Sequence, residues 1–208
     1  MGSMGAFSFH ETKNYSCGEG GLLIINDDAN TERAEIIREK GTDRSKFFRG
    51  LVNKYGWVDI GSSFLSSDIN AAYLLAQIEN AEKINTSRLS AWNLYNQGLS
   101  ELAAHHFIEL PYVPDQCVHN AHMYYIKVKD NKQRGALISH LKSRGIAAVF
   151  HYIPLHSSVA GKNYGEFRGK DLYTTSESER LLRLPMFYGI SADDVSAVIS
   201  GIQEFFYA

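Results

Sequence analysis

The longest stretch of this sequence that is expected to be helical, residues 68–97, contains no glycine and no proline. Such a stretch favours helix, because these two residues are the strongest helix breakers. Apolar residues form two stripes along this stretch. The first contains Ile69, Ala72, Tyr73 and Ala76 near the start, and the second contains Trp92, Tyr95 and Leu99 at and just beyond the end. Because the stripes are out of phase, we expect two tandem helices or one bent helix between two packing environments. A domain boundary is expected in this stretch.

The segment before this stretch predicts strands and one helix. Residues 6–9 indicate a short strand, and "LLIIN" at 22–26 is a continuous apolar run typical of a fully buried strand. A helix is expected over 30–40, ended by Gly41. Residues 42–67 are expected to be irregular, and a loop of that length is usually functional.

The segment after it predicts a small α+β unit. The expected elements are a strand at 121–129, a helix at 132–145, a strand at 147–154, a helix at 176–184 and an amphipathic helix at 191–206. Pro154 is expected to end the second strand, Pro185 to end the helix before it, and Ser191 to begin the last helix.

Composition excludes several classes of function. The chain is 44% hydrophobic and 21% charged with a formal net charge of −2, which is typical of a globular protein and gives no electrostatic case for nucleic-acid binding. No run reaches the roughly 20 apolar residues of a membrane span. The two cysteines form no disulfide framework, and the first residues lack signal-peptide features. We therefore expect a cytoplasmic protein without nucleic-acid or membrane partners.

The segment "SFHETKN" places Lys13 between a short apolar strand and the glycine cluster "GEGG". A lysine that forms a Schiff base must lose its proton and be held in one place. Ser8, Thr12 and Asn14 offer hydroxyl and amide donors for a phosphate ester. A surface lysine after a strand explains the same residues. The glycine cluster has neither dinucleotide nor P-loop spacing, so it favours a tight turn over a nucleotide-binding regulatory module.

Six segments carry a family resemblance along almost the whole chain. They are "SFHETKN" with "GEGG", "RAEIIREKGTDRSKFFRG", "DIGSSFLSSDINAAYLLAQIE", "NAHMYYIKV", "VFHYIPLHSS" and "SERLLRLPMFYGIS". The sequence resembles the sugar-nucleotide aminotransferases of the DegT/DnrJ/EryC1 type, which bind pyridoxal 5'-phosphate in the α/β aspartate-aminotransferase fold (fold type I). The resemblance implies that Lys13 holds the cofactor as a Schiff base, that Ser8 contacts its phosphate and that Asn14 lies beside it.

The same resemblance implies the reaction and further site residues. It implies transamination of a dTDP-4-keto-6-deoxyhexose with L-glutamate, for cell-surface polysaccharide synthesis, by a homodimer. The segment "HYIPLH" is placed at the active-site mouth, which makes His151, Tyr152 and His156 candidate substrate contacts. Independently of the resemblance, Arg44, Lys46 and Arg49 in the loop "TDRSKFFRG" are candidates for the sugar-nucleotide diphosphate, because two phosphates favour Arg and Lys donors. Structural histidines and a solvated charged loop remain alternatives, and no histidine spacing fits a metal site.

The resemblance also implies a partial enzyme. In the family the cofactor lysine lies near mid-chain, so residues 1–80 are expected to be the C-terminal remnant of the large domain, 81–104 a linker helix and 105–208 the small α+β domain. The alternative function is therefore an inactive folded or oligomeric fragment whose exposed strand edges self-associate. Leu65 stands where many relatives carry an asparagine that reaches the partner's cofactor phosphate, so Ser62 or Ser63 would have to supply that contact.

Overall fold

The computed structural model describes residues 2–208 and divides into two compact units. The first unit ends at Ala81, and the second is Glu82–Ala208. The long stretch without glycine or proline forms two helices, α3 (Asp68–Glu79) and α4 (Ala81–Gly98), which are interrupted at Asn80. Of the two arrangements expected from the sequence, the tandem pair is therefore confirmed.

The first unit contains a hairpin followed by short helices. Its elements are β1 (Met4–Ser8), β2 (Gly21–Ile25), a 3-10 turn (Asp28–Asn30), α1 (Thr31–Arg38), α2 (Arg44–Phe48) and α3. The two strands are antiparallel, from the pair Met4↔Ile25 to the pair Ser8↔Gly21. Ser8, the last residue before the loop that carries Lys13, therefore lies opposite Gly21, the first residue after that loop.

The expectation that β2 is a buried strand is wrong. Leu22 and Leu23 are 50% and 51% exposed, although their apolar run is what a buried strand requires. A two-stranded hairpin has two faces, and within residues 2–81 neither face of this one is covered by another layer. Cys17 is the one buried apolar side chain that the structure describes in this unit. An apolar run thus reports the capacity for burial, and burial itself depends on what packs against the strand.

The segment expected to be irregular is partly ordered. It contains α2, and two isolated β-bridges, Glu39↔Ser63 and Thr42↔Trp57, tie its two sides together. Gly41 makes this crossing possible, because its φ is +76° and a Cβ would lie 1.8 Å from the carbonyl oxygen of Asp59. The loop is therefore a built structure with a fixed shape.

The second unit has the expected α+β architecture. Its elements are α4, α5 (Ser100–Ala104), β3 (Tyr124–Lys127), α6 (Asn131–Ser143), β4 (Val149–Phe150), a 3-10 turn (Leu155–Ser157), α7 (Val159–Tyr164), α8 (Thr174–Arg180), β5 (Leu181–Leu184) and α9 (Ala192–Tyr207). The three strands form an antiparallel sheet in the order β3-β5-β4. Helices from both ends of the unit contribute to one hydrophobic core.

Strand β5 corrects the sequence expectation of one helix over 176–184. Helix α8 ends at Arg180, and the next four residues pair with β3 in the register Tyr124↔Leu184. Leu182 and Leu184 are buried while Leu181 and Arg183 are not. That period of two belongs to a strand with one covered face, and four residues are too few to distinguish it from a helical pattern by sequence.

Stacked aromatic side chains fill the centre of this core. The rings of Tyr95 on α4 and Tyr124 on β3 lie 5.0 Å apart, and Trp92 meets Tyr124 edge-on at 5.3 Å. The Tyr95 hydroxyl donates to the carbonyl oxygen of Pro185 at 2.9 Å, and burial raises the pKa of Tyr95 well above its usual value. The stripe that predicted a packing face on α4 thus forms the core of the second unit.

An ion-pair cluster at the edge of the second unit predicts acid sensitivity. The carboxylate of Glu109 accepts from Lys127 at 2.7 Å and from Arg180, and these two hydrogen bonds hold its pKa below the ordinary value of 4.5. A depressed carboxyl pKa stabilises the fold above the pKa of the unfolded state, and this stability is lost as pH falls through the folded pKa. We expect Glu109→Gln to lower stability at neutral pH and to flatten its decline in acid.

Urea unfolding of the second unit, measured at neutral pH and at several values between about 5 and 3, tests this expectation. Glu166→Gln is the matched control, because Glu166 pairs with Arg168 in an almost fully solvated contact that contributes little. An acid profile of Glu109→Gln as steep as that of the unsubstituted protein would contradict the assignment.

Candidate active site

Main-chain hydrogen bonds extend the β1–β2 hairpin into the loop that carries Lys13. The amide of Phe9 donates to the carbonyl of Gly20, and that of Glu11 donates to Gly18, both at 2.8 Å. Cys17 lies inside the loop, where its amide donates to the carbonyl of Phe9 at 2.9 Å. A Cβ on Gly20 would lie 2.4 Å from the Cys17 sulfur, so the glycine permits this close packing.

Lys13 closes a turn at the tip of this loop. Its amide donates to the carbonyl of His10 at 2.9 Å, and the Thr12 amide donates to the His10 ring at 3.2 Å. The side chain of Lys13 is exposed, and its amine makes no ion pair or hydrogen bond within the described residues 2–208. The backbone is thus fixed while the amine is available to a ligand.

Ser8 and Asn14 lie on either side of that turn. Ser8 is the last residue of β1, and its hydroxyl oxygen accepts from the amide of His10 at 3.4 Å. This contact leaves the hydroxyl hydrogen available to an anion such as a phosphate oxygen. Asn14 directly follows Lys13 and is half-buried. The structure therefore places Ser8, Lys13 and Asn14 on one hairpin, as donors of the kinds that a phosphorylated aldehyde requires.

Arg44 lies at the start of α2, elsewhere in the first unit. It is exposed, its guanidinium carbon lies 4.8 Å from the centre of the Phe48 ring, and it has no acidic partner among residues 2–208. A planar guanidinium group that is exposed and has no acidic partner is well placed to bind an oxyanion.

The segment "HYIPLH" lies in the second unit. His151 is half-buried, and its Nδ1 atom has no hydrogen-bond partner within residues 2–208. Burial and the nearby charge of Arg183 lower the pKa of His151, which favours the neutral imidazole. The side chain of Tyr152 is 74% exposed. The two residues thus offer a neutral ring and an accessible phenol on adjacent positions.

His156 makes a contact that the sequence did not predict. Its Nε2 atom lies 3.0 Å from the Asp171 carboxylate and 3.4 Å from the Thr175 hydroxyl, and its ring packs 4.4 Å from that of Phe167. The Thr175 hydroxyl and the His156 ring both lower the pKa of Asp171. The cluster fastens the loop after α7 to the start of α8. A contact between residues fifteen apart in a glycine-rich loop leaves no periodic signal in the sequence.

The predicted site residues therefore fall into three places. Ser8, Lys13 and Asn14 share one hairpin, Arg44 lies on α2, and the histidines and Tyr152 belong to the second unit.

Within residues 2–208 no cluster of His, Cys, Asp or Glu could hold a metal ion. In the same described part of the chain, no helix has the length and apolar character of a membrane span.

Solved structures show which class of fold this is. The chain is similar to the aminotransferase TlmJ from Streptoalloteichus hindustanus, with 25% identity and a TM-score of 0.85 over 99% of this chain and 52% of that one. A DegT DnrJ EryC1 StrS aminotransferase from Brucella abortus gives 26% identity and a TM-score of 0.80 over 99% and 51%. The sugar aminotransferase Spr1654 from Streptococcus pneumoniae, in its PLP form, gives 22% and 0.78 over 98% and 51%. The expected aminotransferase fold is confirmed.

The family follows from a match over almost the whole sequence. The chain belongs to the DegT/DnrJ/EryC1/StrS aminotransferase family, whose model matches residues 1–203. The chain spans about half the length of the solved structures it matches.

Proposed function

We propose that this chain is part of a pyridoxal-phosphate-dependent aminotransferase that acts on a nucleotide-linked keto sugar. The observation that carries the proposal is the amine of Lys13, exposed and without a partner in residues 2–208, on the same hairpin as the Ser8 hydroxyl. Family membership supports it, and so does the PLP form of Spr1654, a protein of the same fold.

Three residues of the hairpin, Ser8, Lys13 and Asn14, would each have a defined task in this reaction. Pyridoxal phosphate, when bound, supplies the electron sink that amino transfer requires. Lys13 would attach the cofactor through Nζ, and its freed amine would carry a proton from the α-carbon of the amino donor. Ser8 would donate its hydroxyl hydrogen to the phosphate, with the Asn14 amide as a second donor. The fixed turn at Lys13 limits where that proton can be delivered.

The proposed substrate is a dTDP-4-keto-6-deoxyhexose, with L-glutamate as the amino donor. The motifs "HETKN", "DIGSSFLSSD" and "FHYIPLH" most resemble the enzyme that forms dTDP-4-amino-4,6-dideoxygalactose for enterobacterial common antigen. We infer that this protein catalyses the same step of that biosynthesis, and that it does so in the cytoplasm and as a homodimer.

The second unit would contribute substrate contacts. Tyr152 suits direct contact because its side chain is exposed, and the unpaired Nδ1 of His151 suits a hydroxyl or phosphate oxygen. His156 is already held by Asp171, so we assign it the task of positioning the loop after α7. Arg44 would meet the diphosphate.

One observation favours the alternative of a folded fragment without turnover. Of the apolar side chains described in residues 2–81, Cys17 is the one that is buried, so this unit holds its cofactor residues on a hairpin with both faces uncovered. A ring bound there would lack apolar walls, and its affinity would be low.

A borohydride experiment separates the two functions. Pyridoxal phosphate is added, visible absorbance is recorded, the adduct is reduced with borohydride and the labelled peptide is mapped. The proposed function predicts a saturable band with the label at Lys13. The matched control is Lys54, an exposed lysine of the same unit without an acidic partner in residues 2–208. Label spread over Lys54 and other surface lysines would support the inactive fragment.

A further inference from the structure

A cavity of about 350 Å³ lies in the second unit, and the ion-pair cluster of Glu109, Lys127 and Arg180 forms part of its wall. Residues 106–109 lie beside the end of β3, because Glu109 and Lys127 exchange main-chain hydrogen bonds at 2.8 and 2.9 Å. None of the residues proposed for the cofactor or the substrate lines this cavity. A ligand bound there would therefore be additional to amino transfer.

The charges at the cavity leave one cation without a partner. Lys127 donates to the carboxylates of Glu109 at 2.7 Å and Glu177 at 2.8 Å. Arg180 pairs with the same two carboxylates, so these four charges balance. Lys129 also lines the cavity, is exposed and has no acidic partner within residues 2–208. Its ammonium group therefore gives the cavity an excess of positive charge.

Gln133 presents a hydrogen-bond donor at the same cavity. Its Oε1 atom accepts from the amide of Lys129 at 2.9 Å, and its own amide donates to the Asp130 carboxylate at 2.8 Å. This reciprocal cap fixes the side chain at the start of α6. The Nε2 atom of Gln133 has no hydrogen-bond partner within residues 2–208 and is not buried. Gln133 therefore offers a ligand the two N–H groups of its side chain.

Phe107 gives the cavity an apolar surface. Its ring packs against those of Phe206 at 5.5 Å and Tyr207 at 6.0 Å, which holds it in place. The residue is nevertheless 38% exposed. A fixed aromatic ring is thus available to the organic part of a ligand.

These groups together define the chemistry of a ligand. Lys129 and Gln133 both present hydrogen donors, and one of them is a cation, so an oxyanion suits them. A phosphate group carries a charge of about −1.5 to −2 at neutral pH, and it gains more from a positive wall than a carboxylate with a single charge. We propose that this cavity binds a small organic phosphate, with phosphate oxygens at Lys129 and Gln133 and the organic part against Phe107. The volume lies at the lower end of the range for small-molecule sites, about 300–1,000 Å³.

Nuclear magnetic resonance of the full chain can observe this site directly, because the side-chain amide of Gln133 gives signals of its own. The protein is titrated with phenyl phosphate, inorganic phosphate and benzoate, in the absence of pyridoxal phosphate. We expect phenyl phosphate to shift the Gln133 side-chain signals in a saturable way. It should bind more tightly than inorganic phosphate, which lacks the ring, and more tightly than benzoate, which lacks the phosphate.

Two substitutions test the assigned donors, with affinity followed on the main-chain amide of position 129. Lys129→Gln should weaken phenyl phosphate about tenfold, which is typical for the loss of one charge-assisted hydrogen bond. Gln133→Glu should weaken it by at least as much, because an anionic oxygen replaces the donor. This variant keeps the cap of α6, since a carboxylate oxygen can accept from the Lys129 amide in the same way.

Lys132→Gln is the matched control, because Lys132 is an exposed cation of α6 that does not line the cavity. It should bind phenyl phosphate like the unsubstituted protein, and circular dichroism should show that the three variants keep their fold. Equal weakening by Lys132→Gln would show a response to net charge alone and would overturn the proposal. So would benzoate or inorganic phosphate binding as tightly as phenyl phosphate. Shifts confined to Ser8 and Lys13 would also overturn it, because the phosphate would then be bound at the proposed cofactor site.

Discussion

Replacement of Lys13 by alanine is expected to slow amino transfer from L-glutamate to bound pyridoxal phosphate by about 10²- to 10⁴-fold, the usual contribution of a positioned general base. The amine of Lys13 has no partner within residues 2–208, while its amide is fixed by the His10 carbonyl at 2.9 Å. The variant removes the base and leaves the turn intact, because that hydrogen bond involves the main chain. The fold should therefore be unchanged.

The measurement is a single-turnover half-reaction, followed as the absorbance change when L-glutamate is mixed with the cofactor-loaded protein. Lys54→Ala serves as control because it removes an exposed lysine of the same unit. Added methylamine should restore part of the rate in Lys13→Ala and none in other variants, since it can replace a missing proton carrier. A rate for Lys13→Ala within a factor of two or so of the unsubstituted protein would refute the assigned role.

The elements that sequence predicted best are those with long, regular patterns. Helix α9 begins where the serine before it predicted, and the Ser191 hydroxyl accepts from the amide of Asp194 at 3.0 Å. The interruption between α3 and α4 followed from a change in the phase of the apolar stripes. Sixteen and eighteen residues give a periodic signal that local exceptions do not hide.

The errors occurred where a pattern was short or where burial depended on distant packing. Strand β5 is four residues long and directly follows a helix. Its period of two therefore could not be distinguished, in the sequence, from a continuation of the helical pattern. The exposure of Leu22 and Leu23 could not be read from their run at all, because a strand's own residues do not say whether a layer covers it.

The candidate site divides in the same way. Lys13 and Ser8 were identified through a contiguous motif, and the structure places them on one hairpin. The pair Asp171–His156 was missed, because it joins a loop to a short turn without fixed spacing. Arg88 was missed for a different reason. It lies four residues before Trp92 and seven before Tyr95 on the apolar face of α4, so its spacing could have revealed a buried arginine.

Substitution of Arg88 by methionine is expected to destabilise the second unit by about 3 kcal/mol. Arg88 is 7% exposed. Its Nε donates to the Ala121 carbonyl at 3.0 Å, and its Nη2 donates to that of His122. Methionine fills much of the volume but leaves the buried Ala121 carbonyl and the partly buried His122 carbonyl without these donors. Ala121 has a φ of +48°, which non-glycine residues rarely adopt, and the hydrogen bond from Arg88 is made to the carbonyl of this residue.

Tryptophan fluorescence can isolate this effect. The chain has two tryptophans, Trp57 in the first unit and Trp92 in the core of the second, so a Trp57→Phe background makes urea unfolding report on the second unit alone. Arg144→Met is the matched control, because Arg144 pairs with Glu204 at an exposed position and such pairs contribute at most about 1 kcal/mol. If Arg88→Met were no more destabilising than Arg144→Met, the carbonyls of Ala121 and His122 would have to find other donors, and the core of this unit would be more adaptable than its packing indicates.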